Sequence, residues 1–160
     1  MKKMVIFLTA WLACSCAGAA FSADLAVEAD IPAPPAFGER GIWGAIAYSQ
    51  PDGKHGFFWG ADKRDEAEAV ARKHCERTGG GACDVVSVFR NHRHWDDDDG
   101  SGFPYNHCAA LAVGQDRNGV IDGSAFAAKS ATTRNEAETL SLAECQASGS
   151  KCRIREWVCT

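Results

Sequence analysis

The sequence predicts an α+β domain: two tandem strand–strand–helix–strand units form an antiparallel sheet with two helices packed on it, stapled by disulfides. Three observations support this: an internal repeat, cysteines at matching places in both copies, and short apolar runs separated by glycine-containing turns. Because a fixed-period repeat constrains the whole architecture, it outweighs any local interpretation of one segment.

Residues 1–22 are predicted to be a signal peptide. Two lysines precede the apolar run of residues 4–13, small residues follow, and cleavage fits after Ala19 or Ser22. The run is far shorter than the roughly 20 residues of a membrane-spanning helix. We therefore expect a secreted or periplasmic protein with no membrane span.

Residues 23–41 are predicted to be a proline-rich linker. Its IPAPPA stretch favours an extended backbone and has neither a helical nor a strand period. The linker would precede a single duplicated domain over residues 42–160. Lipid modification of Cys14 or Cys16 in the leader is the alternative to a chain without an anchor.

The charge of the exported chain argues against nucleic acid as a partner. Loss of the leader's two lysines leaves 15 basic side chains against 21 acidic ones, a net charge of −6. Nucleic-acid phosphates and anionic lipids both require a basic surface. We expect an unidentified extracytoplasmic protein as the partner instead.

The repeat is clearest in two helical segments. RDEAEAVARKHC begins at Arg64 and RNEAETLSLAEC begins at Arg134, 70 positions later. Each segment ends in cysteine, and a second cysteine seven or eight residues later opens a strand-like run, CDVVSVF or CRIREWVC. These matches place the units at about residues 43–91 and 108–160, with an insertion at 92–107.

Each unit is predicted to begin with two strands joined by a tight turn. Residues 45–49 and 109–113 are apolar runs of strand length. The turns QPDGKHG and QDRNGV contain Asp-Gly and Asn-Gly pairs, which tolerate the positive φ of hairpin turns. Second strands are expected near residues 57–60 and 124–130.

A helix follows the second strand in each unit. Asp62 and either Thr132 or Thr133 are predicted N-caps, and the helices are expected to run to about Arg77 and Ser148. Their narrow alanine-rich stripes suit close docking on a sheet. TGGG and SGS then supply glycines typical of helix C-termini.

The repeat also narrows the fifteen possible pairings of the six cysteines that follow the leader. Equivalent positions in the two units favour Cys75–Cys83 and Cys145–Cys152, which leaves Cys108–Cys159. The first unit has no counterpart of this last pair.

The insertion holds the candidate metal ligands. His92, His94, Asp97, Asp99 and His107 offer imidazole and carboxylate groups that could bind Zn²⁺, the single weak possibility of a cofactor. The competing interpretation, which we favour, is a polar connector whose charges are hydrated.

The GFFWG strand holds the candidate partner-binding residues Phe57, Phe58 and Trp59. Three adjacent aromatics on a strand cannot all face one way, so one face exposes an anchor. No serine is surrounded by nucleophile-elbow glycines, and we expect no catalytic residues. The favoured function is a non-enzymatic protein-binding or inhibitor/immunity-type module in the bacterial envelope. Alternatives are an envelope hydrolase using the acidic insertion, and a metal-binding protein.

Several motifs together resemble a family of small secreted bacterial proteins, domain of unknown function 4189. They are WGAIAYS, the twin EAE…C helices, VFRN, CAALAVG and the closing WVC, and the resemblance spans residues 43–159. It implies export, one disulfide-bonded domain and non-enzymatic work, and it carries over no catalytic residues. The insertion departs from the family pattern.

Overall fold

The computed structural model describes residues 40–94 and 98–160. The predicted signal peptide, nearly all of the predicted linker and both leader cysteines lie outside these residues, as does Asp97. Within the described ranges, neither helix is long and apolar enough to cross a membrane.

In the described ranges, six strands and two helices follow one another in a repeated order. They are β1 (Ile42–Ser49), β2 (Lys54–Ala61), α1 (Arg64–Arg77), β3 (Asp84–Asn91), β4 (Cys108–Gln115), β5 (Ile121–Ala131), α2 (Arg134–Gln146) and β6 (Cys152–Cys159). The α+β class, the antiparallel pairing, the two helices and the three disulfides are confirmed.

The strands form two three-stranded sheets, with orders β2-β1-β3 and β5-β4-β6, where one sheet was expected. The prediction of a single sheet is wrong. A single sheet with both helices on one face would leave the other face of each central strand uncovered. All residues of β1 after Ile42, and all of β4 before Gln115, are buried. A strand buried on both faces needs a covering layer on each side, so a second sheet covers what the helix does not.

The domain therefore has four layers: helix, sheet, sheet and helix. Between the sheets, Ile46, Tyr48 and Phe89 of the first pack against Leu111 and Val113 of the second. The opposite face of each sheet packs against its own helix.

The helix α1 lies very close to its sheet. Ala67 and Ala71 are fully buried against it, and Gly56 of β2 has no side chain to hold the helix away. A Cβ atom at Gly56 would overlap backbone atoms of Ala71 and Cys75. The alanine stripe and this glycine thus make one close contact.

One predicted helix cap is correct and one is wrong. The Thr133 hydroxyl accepts a hydrogen bond from the Glu136 amide at 3.3 Å. Helix α1 instead begins after Lys63, whose side chain makes no cap hydrogen bond. Asp62, the expected cap, lies one residue too early to cap the first helical turn, because the helix begins at Arg64. Its carboxylate pairs with Arg93 instead.

Three disulfides join the same pairs that the repeat favours: Cys75–Cys83, Cys145–Cys152 and Cys108–Cys159. The first two each connect the buried end of a helix to the residue at or just before the next strand. The third connects the two strands β4 and β6.

Candidate functional site

The two halves differ at one pair of equivalent positions. In the second sheet Cys108 lies directly opposite Cys159, and a disulfide joins them. In the first sheet Trp43 lies directly opposite Arg90 at the corresponding place. The first half therefore holds a buried cation beside an aromatic ring where the second half holds a covalent bond.

Residues 98–105, which we name the capping loop, fold over the fully buried guanidinium of Arg90. Its two terminal nitrogens donate to the carboxylate of Asp99, one of them at 3.1 Å. The Nη2 atom also donates to the Ser101 hydroxyl at 3.0 Å and to the Phe103 carbonyl at 2.7 Å. Nη1 donates to the Arg40 carbonyl at 3.2 Å. The charge is thus paired, as a buried ion requires.

Aromatic rings complete this cluster. The Phe103 ring lies 5.2 Å from the Trp43 ring, and the Arg90 guanidinium lies 4.1 Å from the centre of the Tyr105 ring. His92 stacks on Tyr105 with 3.4 Å between ring centres. Part of the insertion is therefore packed structure rather than a hydrated connector.

This packing bears directly on the candidate metal ligands. Both oxygens of Asp99 bind Arg90, whose hydrogen bonds hold the pKa of that carboxyl well below its usual value. His92 is stacked, while His94 and His107 are exposed. Within residues 40–94 and 98–160, no three His, Cys, Asp or Glu side chains are placed to hold an ion. The described candidates are thus not brought together.

The three partner-binding candidates differ in their surroundings and in how far they are exposed. Phe57 packs into the layer between the sheets, and Phe58 packs on the helix side, with its ring 6.3 Å from the His74 ring. Trp59 is 56% exposed. Only Trp59 of these three presents most of its side chain to solvent.

The outer edge of β2 is partly covered by helix α1. His74 Nδ1 donates to the Phe57 carbonyl at 2.8 Å. The Thr78 hydroxyl lies 3.3 Å from the His55 carbonyl and donates to the nearer Cys75 carbonyl at 2.7 Å. A strand from another chain that paired at the Phe57 carbonyl would compete with the His74 bond. Edge strands are commonly protected by such coverage.

Trp157 is a second exposed aromatic residue. It is 40% exposed on β6, and the Arg134 guanidinium lies 3.8 Å from the centre of its ring. Arg153 and Arg155, at alternate positions of the same strand, are also exposed. Two charged residues at this spacing are the sequence signal that Trp157 shares an outward-facing position. Its ring is already covered in part by a cation.

A scan against protein-family models matches this chain to domain of unknown function 4189 (DUF4189), over residues 43–94 and 101–159. The chain belongs to the DUF4189 family. No curated protein and no solved structure matches it.

The capping loop straddles the junction of the two DUF4189 segments. Arg90 belongs to the first matched segment, and Ser101, Phe103 and Tyr105 belong to the second. Asp99 lies in the short stretch between them. In this DUF4189 protein, the residue that neutralises the buried arginine thus falls outside the matched segments.

Proposed function

We propose that this protein is an exported, non-enzymatic module that binds another protein outside the cytoplasm, as an inhibitor or immunity-type protein does. The exposed aromatic ring of Trp59, on a strand held between a helix and a second sheet, is the observation that carries the proposal. Tryptophan is among the residues that contribute most often to the centre of a protein interface.

The scaffold beneath Trp59 supports this role because it is held rigid. Three disulfides and a buried ion pair restrain the two halves. A surface that is already ordered loses little conformational entropy when it binds. The partner would therefore meet the strand that carries Trp59 in nearly its final position.

Export is supported by the three disulfides, which persist in oxidising compartments. Mass spectrometry of protein recovered from the envelope or medium tests it. A mature N-terminus at Ala20 or Ala23 is expected, whereas an intact leader on folded, oxidised protein contradicts export.

The choice of variant decides how sharply binding can be tested. Phe58→Ala is a poor probe because Phe58 packs against the buried cluster beneath α1. Trp59→Ala removes an exposed ring and should leave stability within about 0.5 kcal/mol. Trp157→Ala is the matched control, since it removes an exposed tryptophan already covered by Arg134.

The test is quantitative capture of envelope proteins on immobilised mature protein, followed by measurement of Kd with the purified partner. We expect Trp59→Ala to weaken binding at least 30-fold, as the loss of about 2 kcal/mol at an interface hot spot implies, while Trp157→Ala has little effect. A stoichiometric partner that binds both variants equally well contradicts the role of Trp59. Failure to capture any stoichiometric partner contradicts the binding function.

A further inference from the structure

A polar groove of about 450 Å³ lies between the two halves, away from Trp59 and from the capping loop. The turn between β1 and β2, residues 50–54, forms one wall, and residues 120–123 at the start of β5 form the other. Arg153 and Arg155 of β6 complete the lining. Its size falls within the range of small-ligand sites.

The walls of this groove are fixed against each other. The Gln50 side-chain amide donates to the Gly123 carbonyl at 2.8 Å, across the two halves. A Cβ atom at Gly123 would lie 3.2 Å from the Gln50 carbonyl oxygen, and one at Gly53 would lie 3.4 Å from the Ile121 side chain. The hydrogen bond and the tight approach at Gly123 therefore hold the two walls of the groove together.

Two arginines that line the groove are available to bind a ligand. Both Arg153 and Arg155 are exposed, and in the described part of the chain neither takes part in an ion pair. The Asp52 carboxylate, in contrast, accepts hydrogen bonds from the Ser49 hydroxyl at 2.6 Å and the Gly81 amide at 2.9 Å. Those two bonds lower the pKa of Asp52 and keep it ionised.

A buried hydroxyl lies near these charges. Tyr48 is 2% exposed, and its hydroxyl has no hydrogen-bond partner among the described residues. Burial raises its pKa, and the charges of Arg155 and Asp122, which both line the groove, also act on it. An unsatisfied buried hydroxyl is uncommon in proteins and calls for an explanation.

We propose that this groove binds a peptide through its free C-terminal carboxylate, held by Arg153 and Arg155. Arginine forks match the geometry of a carboxylate. The lining carries three cations, these two and Lys54, against the carboxylates of Asp52 and Asp122. A net charge of +1 is balanced by one singly charged carboxylate and is exceeded by the charge of a doubly ionised phosphate. The polar turns on either side suit the amide groups of a peptide.

The experiment is an NMR titration of the oxidised mature protein with trialanine, in parallel with trialanine amidated at its C-terminus. We expect saturable shifts of the Gly123 and Arg155 amide signals with the free acid at concentrations below about 10 mM, and none with the amide. Hydrogen bonds to charged groups contribute more to binding than neutral ones do. Arg153→Gln with Arg155→Gln should therefore reduce the affinity for trialanine at least tenfold. Arg72→Gln, an exposed arginine on α1, is the control and should change nothing.

Three results would overturn the assignment. They are equal binding of free and amidated peptide, unchanged affinity in the double arginine variant, and no shift at groove residues. Inorganic phosphate serves as a further probe, and binding of phosphate tighter than that of trialanine would also exclude a carboxylate site. Trp59→Ala should leave the titration unaltered, so this site is tested independently of the protein-binding proposal.

Discussion

Replacement of Asp99 by asparagine tests whether the capping loop stabilises the first half through charge. The substitution keeps the size of the side chain but leaves the Arg90 guanidinium buried without a counter-ion. Removal of one partner of a buried ion pair costs about 3–5 kcal/mol. Because the Ser101, Phe103 and Arg40 oxygens still accept from Arg90, we expect the lower end of this range, about 3 kcal/mol.

Urea unfolding of the mature protein with its disulfides intact measures this loss. Tryptophan fluorescence is a suitable signal because Trp43 lies 5.3 Å from the Arg90 guanidinium. For a domain of this size, about 3 kcal/mol corresponds to a fall of roughly 10 °C in Tm. Asp98→Asn is the control: Asp98 is exposed, and asparagine can still accept the Gly100 amide hydrogen bond.

A double variant separates the loss of charge pairing from simple damage to the loop. Arg90→Met combined with Asp99→Leu removes both charges, and such apolar replacements of buried pairs are often neutral or stabilising. We expect it to recover most of the stability lost in Asp99→Asn. A loss below about 1 kcal/mol in Asp99→Asn, or a double variant as unstable as the single one, would refute the reasoning.

The pH dependence follows from the depressed pKa of Asp99. A carboxyl group whose pKa is lower in the folded state stabilises the protein fully above its unfolded pKa of about 3.9. This contribution falls as the pH drops below that value and is lost as the pH passes the folded pKa. The stability difference between wild type and Asp99→Asn should therefore be constant above about pH 5 and shrink below about pH 4, as urea unfolding across this range would show.

Three further predictions concern the disulfides and the packing of helix α1. Trp43→Cys with Arg90→Cys, combined with Asp99→Leu so that no unpaired carboxylate stays buried, should form a disulfide in the oxidised protein, since these residues face each other as Cys108 and Cys159 do. Thiol counting by mass spectrometry checks it, and two free thiols would contradict the equivalence. Cys108→Ala with Cys159→Ala should cost about 4 kcal/mol for a 51-residue separation, measured by urea unfolding. Gly56→Ala should cost about 3 kcal/mol because the new methyl group overlaps helix backbone, and a change below about 0.5 kcal/mol in thermal unfolding would show that the helix can shift.

The features that could be predicted from the sequence are those encoded over short distances. The cysteine spacing repeats within segments of a dozen residues and so indicates which sulfurs are neighbours. The Thr133 cap depends on a residue only three positions away. Turn glycines such as Gly53 and Gly119 have positive φ, as Asp-Gly and Asn-Gly turns require.

The features that were missed depend on contacts between layers or across the junction of the units. The number of sheets is decided by what covers the second face of β1 and β4, which no local pattern shows. The ion pair of Arg90 was also missed, although a signal existed. Arg90 follows a largely apolar strand run that ends in Phe89, and a cation in such a strand needs an acid nearby. The aspartates of the insertion were instead interpreted as hydrated charges of a polar connector, with metal ligation as the alternative.

The capping loop shows that the first copy extends further along the chain than the repeat alone indicates. By alignment the first copy stops near residue 91, yet its closure needs side chains up to Tyr105. A shortened chain that keeps the first copy should therefore end after Tyr105 rather than near residue 91, and its sheet would still lack the second sheet that covers the other face of β1. Reductant should loosen the last strand of the second copy by opening Cys108–Cys159, while the Arg90–Asp99 ion pair of the first copy contains no sulfur and persists.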